Sequence, residues 1–177
     1  MKLNMNIIDD KVRKQYKRYI FQCFLATLTI LAVLFFLDIL TETAIIAALG
    51  ASAFIVFTMP NMYSSDPRRL LGGYLVGVGT GIIISTIAKN DLIQSFFING
   101  TSSLIVFGAI AVGIAIFLMT ITNTEHAPAA GIALGLVINT WDYRTIIFIL
   151  AAILWMTIIR KILKPYMINL TSPVSKK

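Results

Sequence analysis

The residues most suggestive of chemistry are Glu125 and His126, which stand directly before a short apolar segment that begins Ala127-Pro128. Proline is well tolerated in the first turn of a helix, so Pro128 predicts a helix start here. The first amides of a helix lack partners within it and lie at the positive end of its dipole, which suits an anion. His126 adds a donor that can become cationic near neutral pH. The alternative is a loop histidine that caps the helix, and the sequence leaves both interpretations open.

A second short apolar segment carries matching polar residues. Thr43 opens it, Glu42 precedes it and Ser52 lies within it. We expect Thr43 and Ser52 to line the same site as His126. Glu42 and Glu125 fit either a capping role at a helix start or proton transfer, and neither is assigned as catalytic.

Residues 60–69 form the most polar internal stretch, and Arg68 lies within it. Arg68 has three possible roles: to bind an anion, to hold Asp66, or to fix the orientation of the chain in a membrane. The last two together are favoured over the first. Just beyond, Gly73, Gly77 and Gly81 form a GxxxGxxxG face, which is typical of close helix packing and can also border a narrow pore.

Composition excludes most soluble functions. Of the 177 residues, 58% are hydrophobic and only 13% are charged, with a mean hydropathy of +0.85. The net charge of +7 comes mainly from basic residues near the two termini, a pattern that indicates membrane topology and lipid headgroups rather than nucleic acid. With one histidine and one cysteine, the sequence predicts no enzyme activity, no cofactor and no metal site.

Six apolar segments divide the chain, at about residues 20–37, 43–59, 70–88, 103–121, 127–138 and 143–163. A helix needs about 20 residues to cross a bilayer, so the second segment is marginal and the fifth is too short. We predict a basic segment at 1–19, a membrane repeat at 20–88, a linker at 89–102, a second repeat at 103–163 and a basic tail at 164–177.

Charge predicts the orientation of these segments. Six crossings place 13 of the 15 lysines and arginines on one side, which predicts that both termini are cytoplasmic in the cell membrane. Four crossings, with the second and fifth segments re-entrant, would also keep both termini inside. Charge alone does not choose between the two topologies.

The two halves share short motifs. Thr41-Glu42-Thr43-Ala44 recurs as Thr124-Glu125-His126-Ala127, an offset of 83 residues, and Asp66-Pro67-Arg68 is echoed by Asp142-Tyr143-Arg144 at an offset of 76. Three segments per copy would invert the second copy, an arrangement found around central transporter sites. We predict two inverted three-helix repeats whose half-helices meet near the midplane, the alternative being chance similarity among apolar residues.

The chain resembles the HPP family of integral membrane proteins. The resemblance rests on Gly50-Ala51-Ser52-Ala53, Pro60, Pro67-Arg68, Gly72-Gly73 and the stretch His126-Ala127-Pro128-Ala129-Ala130-Gly131. Here His-Ala-Pro replaces the His-Pro-Pro that gives the family its name. The resemblance implies four transmembrane helices, similarity to nitrite transporters of plastids and cyanobacteria, and site roles for His126, Pro128, Ser52, Arg68 and Gly73.

Together these features predict an all-α integral membrane protein that transports a small monovalent anion, with nitrite as the leading candidate. The predicted substrate-binding residues are His126, Pro128, Glu125, Thr43, Ser52, Arg68 and Gly73. The expected partners are a small inorganic anion, the lipid bilayer and further copies of the chain. The alternative is a scaffold or sensor subunit of the membrane that transports nothing.

Overall fold

A computed structural model describes residues 10–37, 43–97 and 100–171, and these residues form helices and connecting turns without a strand. The helices are α1 (Asp10–Leu37), α2 (Thr43–Thr58), α3 (Pro67–Ala88), α4 (Asp91–Gln94), α5 (Gly100–Ile121), α6 (Ala127–Ile138) and α7 (Tyr143–Leu163). Short 3-10 turns follow at Tyr63–Ser65 and Lys164–Tyr166. In α1 the backbone departs from helical geometry at Gln15.

Within the described residues, three helices are long and apolar enough to cross a membrane: Pro67–Ala88, Gly100–Ile121 and Tyr143–Tyr166. The apolar helices α2 and α6 are shorter, with 16 and 12 residues. The prediction that the second and fifth segments are short is therefore confirmed. At 1.5 Å per residue α6 is only ~18 Å long, against ~30 Å of hydrocarbon in a typical bilayer.

The helices connect two chemically different ends. One, called the polar end here, comprises residues 59–69, 122–126 and 160–171, which are joined by hydrogen bonds such as that from Arg160 Nη2 to the Pro60 carbonyl. At the opposite end, Lys89 Nζ donates to the Asn139 carbonyl over 3.1 Å. From α2 to α7 the long and short helices therefore run alternately toward and away from the polar end.

The central element is α6, which packs against α2, α3 and α5. Ile132, Ala133, Leu136 and Val137 have no exposed surface. By contrast, α5 and α7 expose large apolar side chains, including Ile105 at 67% and Ile147 at 61%. Apolar surface of this kind suits lipid, so the exposed faces of α5 and α7 are where the hydrocarbon is expected to lie.

Local sequence explains where the long helices begin. Asp66 caps α3 by accepting a hydrogen bond from the Arg68 amide over 2.9 Å, and Pro67 takes the first helical position. Asp142 caps α7 in the same way, accepting from the Thr145 amide over 2.9 Å. That hydrogen bond, followed by weaker contributions that include the Arg144 charge, lowers the pKa of the Asp142 carboxyl.

Candidate functional site

His126 is the last residue before α6, with an extended backbone (φ −140°, ψ 96°). Its side chain forms no capping bond to the helix, and only 1% of the residue is exposed. His126 therefore occupies the N-cap position of α6 as a loop residue, but its side chain does not cap the helix. The imidazole instead points into the bundle, where both ring nitrogens find partners.

The two ring nitrogens meet different groups. Nδ1 lies 3.1 Å from the Ser64 carbonyl oxygen and Nε2 lies 2.8 Å from Ser52 Oγ. Because a carbonyl oxygen can only accept, the hydrogen must be on Nδ1. In the neutral imidazole, Nε2 then accepts from the Ser52 hydroxyl.

Tyr74 completes this buried cluster, and sequence reasoning missed it. Its hydroxyl lies 2.7 Å from Ser52 Oγ and 3.2 Å from the Ala48 carbonyl oxygen, and its ring centroid lies 5.7 Å from that of His126. Because the Ser52 hydrogen goes to Nε2, the single Tyr74 hydrogen is shared between these two acceptors. Ser52 and Tyr74 are fully buried. The signal available in the sequence was a tyrosine beside the glycine face of an apolar helix, since a buried tyrosine hydroxyl needs a partner. We call Ser52, Tyr74 and His126 the buried cluster.

The electrostatics of the cluster differ from the sequence-based expectation. His126 lies in the loop before α6, outside the three spanning helices, and burial lowers the pKa of its imidazole to about 4, partly offset by the hydrogen bond to Ser64. Desolvation disfavours the charged form, and no carboxylate contacts the ring among the described residues. The expectation of a cationic imidazole near neutral pH is therefore wrong.

Glycines of α3 create the space for His126. A Cβ at Gly73 would lie 2.8 Å from His126 Cβ, and one at Gly77 would fall against the Ala129 carbonyl oxygen. The glycine face is thus a packing surface, as predicted, and it holds the start of α6 against α3. Gly73 lies next to the position of His126, and the absence of a Cβ at Gly73 allows this close approach.

The contacts between α2 and α6 are antiparallel. Ser52 bonds His126, Ala48 Cβ lies 3.4 Å from a Cβ placed on Gly131, and Ala44 Cβ lies 3.5 Å from one placed on Gly135. The start of α2 therefore faces the end of α6. Antiparallel packing therefore brings Ser52 to His126 but not Thr43, which was expected to line the same site.

The other predicted site residues lie outside the buried cluster. Thr43 is exposed at the far end of α2, and Arg68 is exposed at the start of α3. Glu125 is 39% exposed on its side chain and pairs with Arg69, whose guanidinium also donates to Asn123 Oδ1 and stacks over the Tyr63 ring. Pro128 occupies the first turn of α6, as predicted. Glu42 lies outside the described residues.

Arg160, near the end of α7, is a buried charge, although it belongs to the basic residues whose pattern indicated membrane topology and lipid headgroups. It is 4% exposed, and Nη2 donates to the Pro60 carbonyl over 2.8 Å. Nε has no partner in the described part of the chain. In the same part, no group of three or more His, Cys, Asp or Glu is placed to hold a metal ion.

Comparison with known proteins places the chain in a family. It matches no curated protein and no solved structure. The family described as HPP, transmembrane region, matches residues 11–171, nearly the whole chain and every element of the site. With a buried polar cluster inside an apolar helical bundle and a match of this extent, the chain belongs to the HPP transmembrane family of membrane proteins.

Proposed function

We propose that this membrane protein transports a small monovalent anion, with nitrite as the leading candidate. The observation that carries the proposal is the 2.8 Å bond between Ser52 and His126, buried where two short helices meet in a largely apolar bundle. Polar groups at such depth are unfavourable in a membrane protein unless they are partnered, and they often mark a substrate path. Since the imidazole is neutral, the hydroxyls of Ser52 and Tyr74 are the donors that would meet the anion.

An inverted repeat belongs to this proposal. A twofold axis that exchanges residues 83 apart maps the Ala48–Gly131 contact onto itself and maps Ala44–Gly135 onto a contact between Ser52 and Ala127. The contact at Ala48 fits this pattern, and Ser52 bonds His126, the residue next to Ala127. Asp66 and Asp142, matched at an offset of 76, both cap the helices that close their halves. These reciprocal features support two copies of one unit packed around α2 and α6.

The proposed topology places both termini on the cytoplasmic side of the cell membrane. The support is the concentration of lysine and arginine at the polar end and the alternating direction of the helices. We also propose a homo-oligomer, because so small a bundle shields a polar path better when a second copy covers one of its exposed apolar faces.

The same hydrogen bonds favour a second candidate, a membrane scaffold or sensor subunit that transports nothing. Ser52, Tyr74 and His126 are closed off from solvent, and each polar atom of their side chains has a partner within the chain. A scaffold would keep this arrangement permanently. A transporter must open it.

Anion flux into proteoliposomes separates the two candidates. Nitrite, nitrate, formate, chloride and bicarbonate should be compared, and transport predicts uptake of nitrite above that of empty vesicles. Ser52→Ala should slow uptake at least severalfold. Thr120→Ala is the matched control, since Thr120 is an exposed hydroxyl that bonds only to its own helix. If the folded, reconstituted protein takes up none of these anions, the scaffold or sensor function is the remaining candidate.

A further inference from the structure

Arg160 is buried in a manner that a guanidinium rarely tolerates alone. The group stays charged at any physiological pH, yet the residue is only 4% exposed and makes one described hydrogen bond, to the Pro60 carbonyl. Nε is buried and unpartnered among the described residues. Buried charges in proteins are normally paired with an opposite charge, because desolvation strongly disfavours an isolated one.

Among the residues that the structure describes, none supplies such a counter-charge in contact with Arg160. The described ion pair at the polar end joins Arg69 and Glu125. Asp66 is close enough to act on the charge of Arg160, but it is not in ion-pair contact and its carboxylate caps α3 at the Arg68 amide. The next residue in α7, Lys161, is exposed and adds positive charge. The described residues therefore leave the Arg160 guanidinium without an ion-pair partner.

The last described residues of the chain cover the loop that Arg160 holds. The Leu170 amide donates to the Thr58 carbonyl over 2.8 Å, and Asn169 Oδ1 accepts from the Asn61 amide over 3.0 Å. These two bonds lie on either side of Pro60. From α1, Gln22 binds both the amide and the carbonyl of Ile168. Residues 168–170 and α1 thus cover the loop around Pro60 at the polar end.

We propose that Arg160 is the centre of a second binding site, which takes a small oxyanion at the polar end of the bundle. The unpartnered Nε–H and the fork geometry of the guanidinium suit a nitrite, carboxylate or phosphate group. The oxyanion supplies the missing negative charge. It comes either from a free inorganic anion or from the phosphate of a lipid headgroup. Binding at Arg160 does not require transport, so the proposal stands apart from the function of the buried cluster.

Thermal unfolding of the full chain in a phosphate-free maltoside detergent tests the site. At constant ionic strength, nitrite, formate and phosphate should each raise the unfolding midpoint relative to gluconate, a bulkier anion. Arg160→Met should abolish this dependence. Arg160→Lys, which keeps the charge without the fork, should require roughly tenfold more anion. Lys161→Gln, the adjacent exposed cation, should behave as the wild type.

A parallel titration with phosphatidylglycerol distinguishes the two sources. If the lipid phosphate is the occupant, lipid raises the midpoint of the wild type but not of Arg160→Met, and inorganic anions compete with it. If a free anion is the occupant, lipid acts equally on both proteins. The proposal is overturned if Arg160→Met is destabilised by the same amount in every salt and lipid, since Arg160 would then only brace Pro60. Arg160→Lys provides the same comparison if the methionine variant does not fold.

Discussion

His126 and Arg160 are both buried and both able to carry a positive charge, but their surroundings differ in two respects. Both nitrogens of His126 have partners, whereas Nε of Arg160 has none in the described chain. His126 can also lose its proton, and burial favours that form, whereas a guanidinium cannot. Burial alone therefore does not identify an anion site. Two further properties distinguish the proposed anion site at Arg160: a donor without a hydrogen-bond partner, and a side chain that cannot lose its positive charge.

The largest expected effect on stability comes from disrupting the packing of α3 against α6, which positions His126. In Gly77→Ala, the new Cβ would fall on the Ala129 carbonyl, so α3 and α6 must move apart. Overpacking typically lowers the free energy of unfolding by about 1–3 kcal/mol, and the loss here should exceed about 3 kcal/mol because the new Cβ meets backbone rather than a flexible side chain. We expect a markedly lower unfolding midpoint.

Gly79→Ala is the matched control on the same helix, because nothing lies within 4 Å of a Cβ there. It should be neutral or stabilising by up to about 1 kcal/mol, since alanine favours the helix. Equal loss of stability in both variants would contradict the close contact between α3 and α6.

The next effect uses the difference in titration. The pKa of His126 is about 4 in the folded protein and about 6.5 in an unfolded chain, so the unfolded state takes up the proton first. Stability is fully present above pH 6.5 and should fall as the pH drops from 6.5 toward 4, by roughly 3 kcal/mol in total. Arg160 contributes nothing to this change.

Unfolding midpoints measured between pH 5 and 7.5 check this prediction. His126 is the only histidine, so His126→Gln should remove the histidine-dependent part of the curve. A wild type that gains stability on acidification relative to His126→Gln would show that the imidazole is charged in the folded protein.

A smaller effect concerns the order within the buried cluster. Ser52→Ala removes the bonds to both Tyr74 and His126 and leaves Nε2 buried without a donor, which should lower the free energy of unfolding by about 1–3 kcal/mol. Tyr74→Phe leaves the bond between Ser52 and His126 and should lower it by about 1 kcal/mol. Because Ser52 joins the two, the double variant should lose less than the sum of the single losses. Strict additivity would mean that the three side chains act independently.

The smallest effects are expected at Arg68 and Arg69, the two arginines at the start of α3. Arg69→Gln breaks an ion pair whose carboxylate side chain is 39% exposed, so the loss in the free energy of unfolding should stay below about 1 kcal/mol and shrink in high salt. Arg68→Gln should change it by less than about 0.5 kcal/mol, because the Arg68 backbone amide makes the cap to Asp66. A large effect of Arg68→Gln on stability would show that the Arg68 side chain has a structural role.

The sequence predicted the helices better than the tertiary contacts between them. The start and end of α6 and the packing role of the glycines follow from local patterns, namely Pro128, segment length and the GxxxG spacing. The contact between Ser52 and His126 agrees with the expectation that both belong to one site. These features depend on composition and short spacings, which a sequence displays directly.

Three features required the fold. Thr43 lies nine residues, ~13 Å along the helix, from Ser52, so antiparallel packing of α2 removes it from the cluster. Tyr74 and the Ser64 carbonyl join His126 through long-range contacts that no local pattern displays. Arg160 is part of a basic run in the sequence, and only the position of Pro60 shows that its side chain turns inward.

Because α6 is short and enclosed by protein, bilayer thickness should affect the outer helices more directly than α6. Apart from Ala127 and Ile138 at its ends, α6 has no exposed residue, and the loop before it is tied down by the Thr124 amide, which donates to the Met119 carbonyl over 2.9 Å. Non-helical backbone at membrane depth is tolerated only where protein surrounds it. Hydrophobic mismatch can therefore act on α5 and α7, whose apolar faces are open, but not directly on α6. A thicker or thinner bilayer would tilt the outer helices around a centre whose length is set by protein contacts alone.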